Sequence, residues 1–124
     1  WERAAEGRAE EGPVLANFNQ FYKVDSAAFD DWMAVLRAVN GSQLWLRSEA
    51  APTHAALRRA AEAVGVAGPR LVFARWARTS QEHIARGTLA DLSLDTPLYN
   101  SMTTGCDILW SGVPLVTLPS LNMV

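Results

Sequence analysis

Residues 89–118 read LADLSLDTPLYNSMTTGCDILWSGVPLVTL, and the fold turns on how this stretch is parsed. It divides into strand, loop, short helix and strand. Residues 89–94 alternate, with Leu89 on the opposite face from Leu92 and Leu94. Asp95-Thr96-Pro97 ends that run, because Pro97 has no N–H to continue a ladder. A polar loop over 98–103 leads into Thr104-Gly105-Cys106-Asp107-Ile108-Leu109-Trp110. Thr103 or Thr104 is expected to cap this helix, with a carboxylate three or four residues on. Gly112 suits the left-handed residue that ends a helix, and Val113-Pro114-Leu115-Val116-Thr117-Leu118 supplies the next strand.

A loop of small hydroxyl residues entering a helix has a chemical use. The first amides of a helix lack intrahelical acceptors, and the dipole favours negative charge there. In a parallel sheet this junction lies at the carboxyl end of the strand, where ligands bind. Phosphate is therefore favoured at Thr103 and Thr104, and Asp107 is placed to accept from sugar hydroxyls. The alternative is that the threonines only cap and Asp107 only matches the helix dipole.

Outward from this stretch the same alternation recurs. Strands are predicted at 14–18, 44–46, 71–73, 92–94 and 115–117. Asp25 or Ser26 caps a helix to about Val39, whose Phe29, Trp32, Met33 and Leu36 share one face. A second helix opens at Ala50-Ala51-Pro52, with Leu57, Ala60, Ala61 and Val64 on its apolar face, and Gly65 ends it. Thr79-Ser80-Gln81-Glu82 is a capping-box pattern that starts a short helix carrying His83 and Arg86. Strand and helix in turn imply an α/β fold with a Rossmann-like, doubly wound parallel sheet. Right-handed crossovers bring Gln20, Lys23, His83, Thr103, Thr104 and Asp107 to one edge of that sheet. Trp32, Trp45 and Trp110 are expected in the core, Cys106 as a small buried residue, and His54 facing solvent.

At 124 residues the chain is long enough for one core. A net charge of −2 offers no basic surface for nucleic acid, and no apolar run reaches the ~20 residues of a membrane span. One cysteine and two histidines form no metal-ligand pattern. Residues 1–12 mix both charge signs with Ala and Gly, and are expected to be a linker or the frayed end of a helix. Residues 13–124 are the domain proper. A first residue that is Trp, with no signal-like segment, points to an intracellular chain cut from something longer.

Several motifs, in order and spacing, resemble the O-linked N-acetylglucosamine transferases. They are Asn17-Phe18-Asn19-Gln20-Phe21-Tyr22-Lys23-Val24-Asp25, Leu44-Trp45-Leu46, Glu82-His83-Ile84-Ala85-Arg86-Gly87 and the 89–119 stretch. The resemblance covers about 14–124 and implies the donor-binding, carboxyl-terminal lobe of a GT-B glycosyltransferase. It implies UDP-GlcNAc as donor substrate, no metal or other cofactor, and Ser/Thr hydroxyls of cytoplasmic or nuclear proteins as acceptors. The acceptor side, including tetratricopeptide repeats, would lie outside this chain. The resemblance makes Lys23 the catalytic contact to the diphosphate, with Thr103 and Thr104 on phosphate and Asp107 on ribose. Gln20, Ala77, Arg78, His83, Ile84, Ala85, Arg86 and Met102 complete the nucleotide contacts it implies.

Three departures accompany it. Met102 stands where the family usually has His before the Thr-Thr pair. The segment before Glu82-His83 is one residue longer and has Arg78 near where the family has a Pro-Lys pair. The chain also stops before the last helices of such a lobe. The alternatives are a GDP-fucose-dependent protein O-fucosyltransferase and a non-catalytic nucleotide-binding or scaffold module.

Overall fold

The structure is a computed structural model that describes residues 2–7, 11–47 and 49–119. Five strands form one sheet: β1 (Val14–Asn17), β2 (Gln43–Leu46), β3 (Leu71–Phe73), β4 (Leu92–Leu94) and β5 (Leu115–Val116). Their order is β3-β2-β1-β4-β5, and every neighbouring pair is parallel. The chain steps outward from β1 to β3, then returns to the other side of β1. The order thus reverses between β1 and β4, and in open α/β sheets ligands bind above that point.

Four helices connect the strands: α1 (Ser26–Ala38), α2 (Ala51–Ala63), α3 (Ser80–Gly87) and α4 (Thr103–Trp110). Both faces of the sheet are covered. Leu15, Leu44, Leu46 and Leu71 point to one side and pack with Trp32, Met33 and Leu36 of α1 and Ala61 of α2. Val14, Ala16, Trp45 and Val72 point to the other and pack with Phe18, Ile108 of α4 and Val113. Adjacent strand residues serve opposite layers, which is why the strand runs are apolar throughout.

The local signals act as their chemistry requires. Asp25 Oδ1 accepts from Ala28 N at 2.8 Å and starts α1. Thr79 Oγ1 accepts from Glu82 N at 3.1 Å, while Glu82 Oε2 accepts from Arg78 N at 2.7 Å, so this box closes one residue upstream of the cap. Gly112 takes φ +80° directly after the α4 cap. Gly87 is needed for space: a Cβ there would lie 2.5 Å from Ser111 Oγ and 3.0 Å from Ser111 Cβ, where α3 crosses the end of α4.

Several expectations are corrected. β1 stops at Asn17 rather than residue 18, because Asn17 Oδ1 accepts from Asn19 N at 3.1 Å and turns the chain. Neither Thr103 nor Thr104 caps α4; Met102 holds the N-cap position and makes no side-chain cap. Trp110 is 83% exposed and Cys106 is exposed, because each lies two residues, about 200° of helix, from the buried Ile108. On α2 only Ala61 is fully buried; Leu57 is half-buried, and Ala60 and Val64 are exposed. His54 lies on the stripe of Leu57 and Ala61, stacks on Phe73 with centroids 3.8 Å apart, and accepts from Glu49 N at 3.1 Å. Of residues 1–12, a 3-10 turn at Ala4–Glu6 buries the Glu6 side chain, which pairs with Arg75 at 2.7 Å. Trp1 and residues 8–10 lie outside the described residues.

Candidate functional site at the carboxyl edge of the sheet

The point between β1 and β4 is occupied by a polar cluster. Asn17 Nδ2 reaches across to the Leu94 carbonyl at 2.6 Å and ties the two strand ends together. Just beyond, Asp95 is buried and surrounded by donors. Its Oδ1 accepts from Thr96 N, Ser101 N and Ser101 Oγ, each at 2.8 Å. Its Oδ2 accepts from Thr117 Oγ1 at 2.6 Å and Asn100 Nδ2 at 3.1 Å. Burial alone would raise the Asp95 pKa, but the bonds from Thr117, Ser101 and Thr96 outweigh it and hold the carboxyl below its ordinary value. Residues 95–101 are thereby fastened into one shape.

Lys23 rests on that loop. It ends the 3-10 turn Phe21–Lys23 after β1 and is only 8% exposed, so the base-rate picture of a solvated lysine does not hold. Its Nζ donates to the Asn100 carbonyl at 3.2 Å and stands 4.2 Å from the centre of the Tyr99 ring. Two of its three donors remain for another acceptor. Gln20, three residues earlier, is exposed beside this turn.

The amino end of α4 follows directly. Its first helical bond runs from Cys106 N to Met102 O at 3.1 Å, so the amides of Thr103, Thr104 and Gly105 have no acceptor within the helix. Thr103 and Met102 are exposed and Thr104 half-buried. Gly105 lets this turn approach the loop: a Cβ there would lie 2.9 Å from Ser101 Oγ. The helix thus points three free amides and a dipole outward, the arrangement that holds phosphate.

Asp107 joins this end to α3. Its carboxylate raises the His83 pKa, though burial and the neighbouring Arg86 prevail and keep His83 below 6.5. Arg86 is buried and lies over the Phe18 ring at 5.1 Å. It donates to the Arg75 carbonyl, and its Nη2 meets His83 Nδ1 at 3.0 Å. Because a guanidinium only donates, Nδ1 is the acceptor and His83 carries its proton on Nε2. Burial lowers the Arg86 pKa, against the pull of Glu6 and Glu82.

Beside these residues opens a cleft of about 390 Å³. Ala77, Arg78, His83 and Arg86 line it, together with Phe18, Arg47, Arg75 and Trp76. The cleft does not take in Gln20, Lys23, Met102, Thr103, Thr104 or Asp107, which gather at the neighbouring β1–β4 junction. Ile84 and Ala85 are half-buried on α3, outside the cleft lining, and the Ile84 carbonyl accepts from Ser111 Oγ at 2.8 Å. The sequence reading missed two groups. One is Asp95 with Asn19 and Asn100, since Asp-Thr-Pro signals only a strand stop in the sequence. The other is Arg47, Arg75 and Trp76; the four arginines of the cleft are scattered over 40 residues and form no local basic run.

The chain is similar to several known proteins. The chain is 43% identical over 122 residues to the probable UDP-N-acetylglucosamine–peptide N-acetylglucosaminyltransferase SEC of Arabidopsis thaliana, covering 98% of this chain and 12% of that protein. It is 44% identical over 106 residues to the UDP-N-acetylglucosamine–peptide N-acetylglucosaminyltransferase of Caenorhabditis elegans, covering 86% of this chain and 9% of that one. The chain therefore spans about a tenth of the length of these relatives. A solved structure of a lysine-to-methionine mutant of the O-GlcNAc transferase of Thermobaculum terrenum superposes with a TM-score of 0.83 at 34% identity, over 90% of this chain and 22% of that one. Residues 2–124 match glycosyl transferase family 41, and the chain belongs to that family.

Proposed function

We propose that this chain is the donor-binding part of a longer protein O-GlcNAc transferase, one that moves N-acetylglucosamine from UDP-GlcNAc to Ser/Thr hydroxyls. The observation that carries the reading is a buried ammonium at the β1–β4 switch point, next to the free amides of α4. That pairing suits a diphosphate. Lys23 and the Thr103 and Thr104 amides would hold the phosphates, and Asp107 the ribose hydroxyls. The base would enter the cleft, against the Ala77–Arg78 backbone, His83 Nε2–H and Arg86, while Ile84 and Ala85 of α3 and, outside the cleft, Gln20 and Met102 would make the remaining nucleotide contacts.

In the reaction, the acceptor hydroxyl attacks the anomeric carbon as its bond to the diphosphate breaks. UDP leaves with the electron pair, and negative charge grows on the leaving oxygen. An ammonium beside that oxygen stabilises the transition state more than the ground state. In this reading Lys23 and the α4 dipole take the place of a metal ion. The base that receives the hydroxyl proton, the acceptor groove and any tetratricopeptide repeats belong to other parts of the protein. The expected setting is the cytoplasm or nucleus.

The test uses the full-length protein that carries this segment. Lys23→Met should lower turnover by about 10²–10³ while UDP affinity falls less. Asp107→Ala should show the opposite balance. Near-normal turnover of Lys23→Met would overturn the assignment. Titration with UDP and GDP tests the donor: preference for GDP would support fucose transfer, and binding of neither would mark a scaffold module.

A further inference from the structure

We propose that Asp95 is a positioning residue for Lys23, acting through Asn100 and Tyr99 and touching no substrate itself. This rests on the reading of Lys23 as the diphosphate contact. Among the described residues Lys23 has two partners, the Asn100 carbonyl and the Tyr99 ring. Neither is anchored by the β ladder; both are held by side chains that converge on Asp95. The Asn100 amide donates to Asp95 Oδ2 at 3.1 Å and to the Thr96 and Leu118 carbonyls, each at 3.2 Å. The Tyr99 carbonyl accepts from Thr96 Oγ1 at 2.7 Å, and Thr96 N in turn donates to Asp95 Oδ1. Asn19, on the same β1 loop as Lys23, donates to Thr96 Oγ1 at 2.7 Å and to Asp95 Oδ1 at 3.4 Å. Both sides of the lysine therefore refer to one carboxylate.

Only a carboxylate meets this demand. Five strong donors reach its two oxygens, and an ionised Asp is acceptor-only with about four lone-pair sites. An amide in its place keeps the shape but turns Oδ2 into a donor. Thr117 can rotate its hydroxyl to accept from that NH2. Asn100 cannot: its own amide would face another donor, and flipping it would forfeit the bonds to Thr96 and Leu118. Asp95→Asn therefore breaks the link that reaches Lys23 through Asn100 and leaves the one through Thr96 and Tyr99 in place. An ammonium displaced by about 1 Å loses as much as 10²-fold in rate.

The experiment is a double-mutant cycle in the full-length protein, with UDP-GlcNAc and an acceptor peptide. Asp95→Asn should lower kcat by about 10- to 100-fold while KM for the donor changes less than about 3-fold. In a Lys23→Met background the same substitution should have little further effect, because the group it positions is gone. Asn100→Ala, which keeps the carbonyl but removes its three anchors, should behave the same way and serves if Asp95→Asn fails to fold. Equal fold losses in both backgrounds would mean that Asp95 only stabilises the domain, and would overturn the proposal. An unaffected kcat in Asp95→Asn would do so too. Near-normal turnover of Lys23→Met alone would instead remove the reading beneath it, and this inference with it.

Discussion

Replacing Arg86 by Met separates what the guanidinium does from what its bulk does. The side chain is 6% exposed, so its removal is a core event. Two hydrogen bonds from the cation, to the Arg75 carbonyl and His83 Nδ1, would be lost. Bonds to charged groups are each worth about 1.5–3 kcal/mol. The stacking on Phe18 adds about 0.5–2 kcal/mol. Opposing this, a buried charge is costly to desolvate, and Arg86 Nε has no partner among the described residues. Met removes that penalty along with the bonds, and it fills most of the same space. The two effects nearly cancel, and Arg86→Met should destabilise by only about 1–2 kcal/mol. Arg86→Ala opens a cavity as well and should cost about 2–3 kcal/mol more. His83 responds differently: in Arg86→Met its pKa should rise, because Arg86 lowers it, but burial remains and should keep it short of 6.5. Urea unfolding of the three proteins and proton NMR titration of the ring measure both quantities. The chain has two histidines, and a His54→Phe spectrum identifies the other signal. Equal destabilisation by Met and Ala, or an unmoved His83 titration in Arg86→Met, would refute the reasoning.

Gly87→Ala should destabilise by about 1–3 kcal/mol, because the new methyl meets Ser111 Oγ at 2.5 Å; an unfolding midpoint equal to wild type would show that α3 and α4 are free to move apart. His54 and His83 are both depressed in the folded chain, chiefly by burial, so the unfolded state takes up protons first as pH falls through 6.5. Stability should therefore decline from pH 7 to pH 5, and His54→Phe, which keeps the stacking on Phe73, should flatten part of that decline; denaturation midpoints that hold steady or rise on acidification would contradict this. The 124-residue chain alone should transfer no sugar to a peptide, since the acceptor side is expected elsewhere, and a radiolabelled-donor assay that finds transfer would disprove it.

What the sequence discloses about the fold follows from how local each signal is. Asp25, Thr79 and Gly112 act on amides and carbonyls within four residues of themselves, so their roles can be read without knowing any neighbour in space. Strand identity is nearly as local, since Leu44-Trp45-Leu46 has to be buried on both faces whatever lies beside it. Helix faces are less certain at short length. In α4 the apolar residues Ile108, Leu109 and Trp110 are consecutive, and only one of three can face the sheet; the structure gives that place to Ile108, while Leu109 and Trp110 face outward. His54 shows the converse: a polar residue is drawn to the apolar stripe because Phe73 offers a ring to stack on and Glu49 an amide to accept from.

The candidate site is legible where it depends on one loop and illegible where it depends on strand order. Thr103, Thr104 and Asp107 lie within one turn and a half of helix, and their grouping needs only the helix. Lys23 and Asn100 are 77 positions apart. They meet because β4 inserts beside β1 rather than beside β3, and the apolar pattern of a strand is the same whichever neighbour it has. The same insertion makes Asp95 a hub. In sequence it is a turn residue before a proline, a common and usually solvated place for aspartate. In the sheet it sits where β1 and β4 end together, between Asn19 of the β1 loop, Asn100 of the β4 loop and Thr117 just past β5. A carboxylate that gathers five close donors thus has a local sequence context that says little about it. Its importance rests on the topology alone, and so the cycle between Asp95 and Lys23 also tests whether that strand order does the positioning.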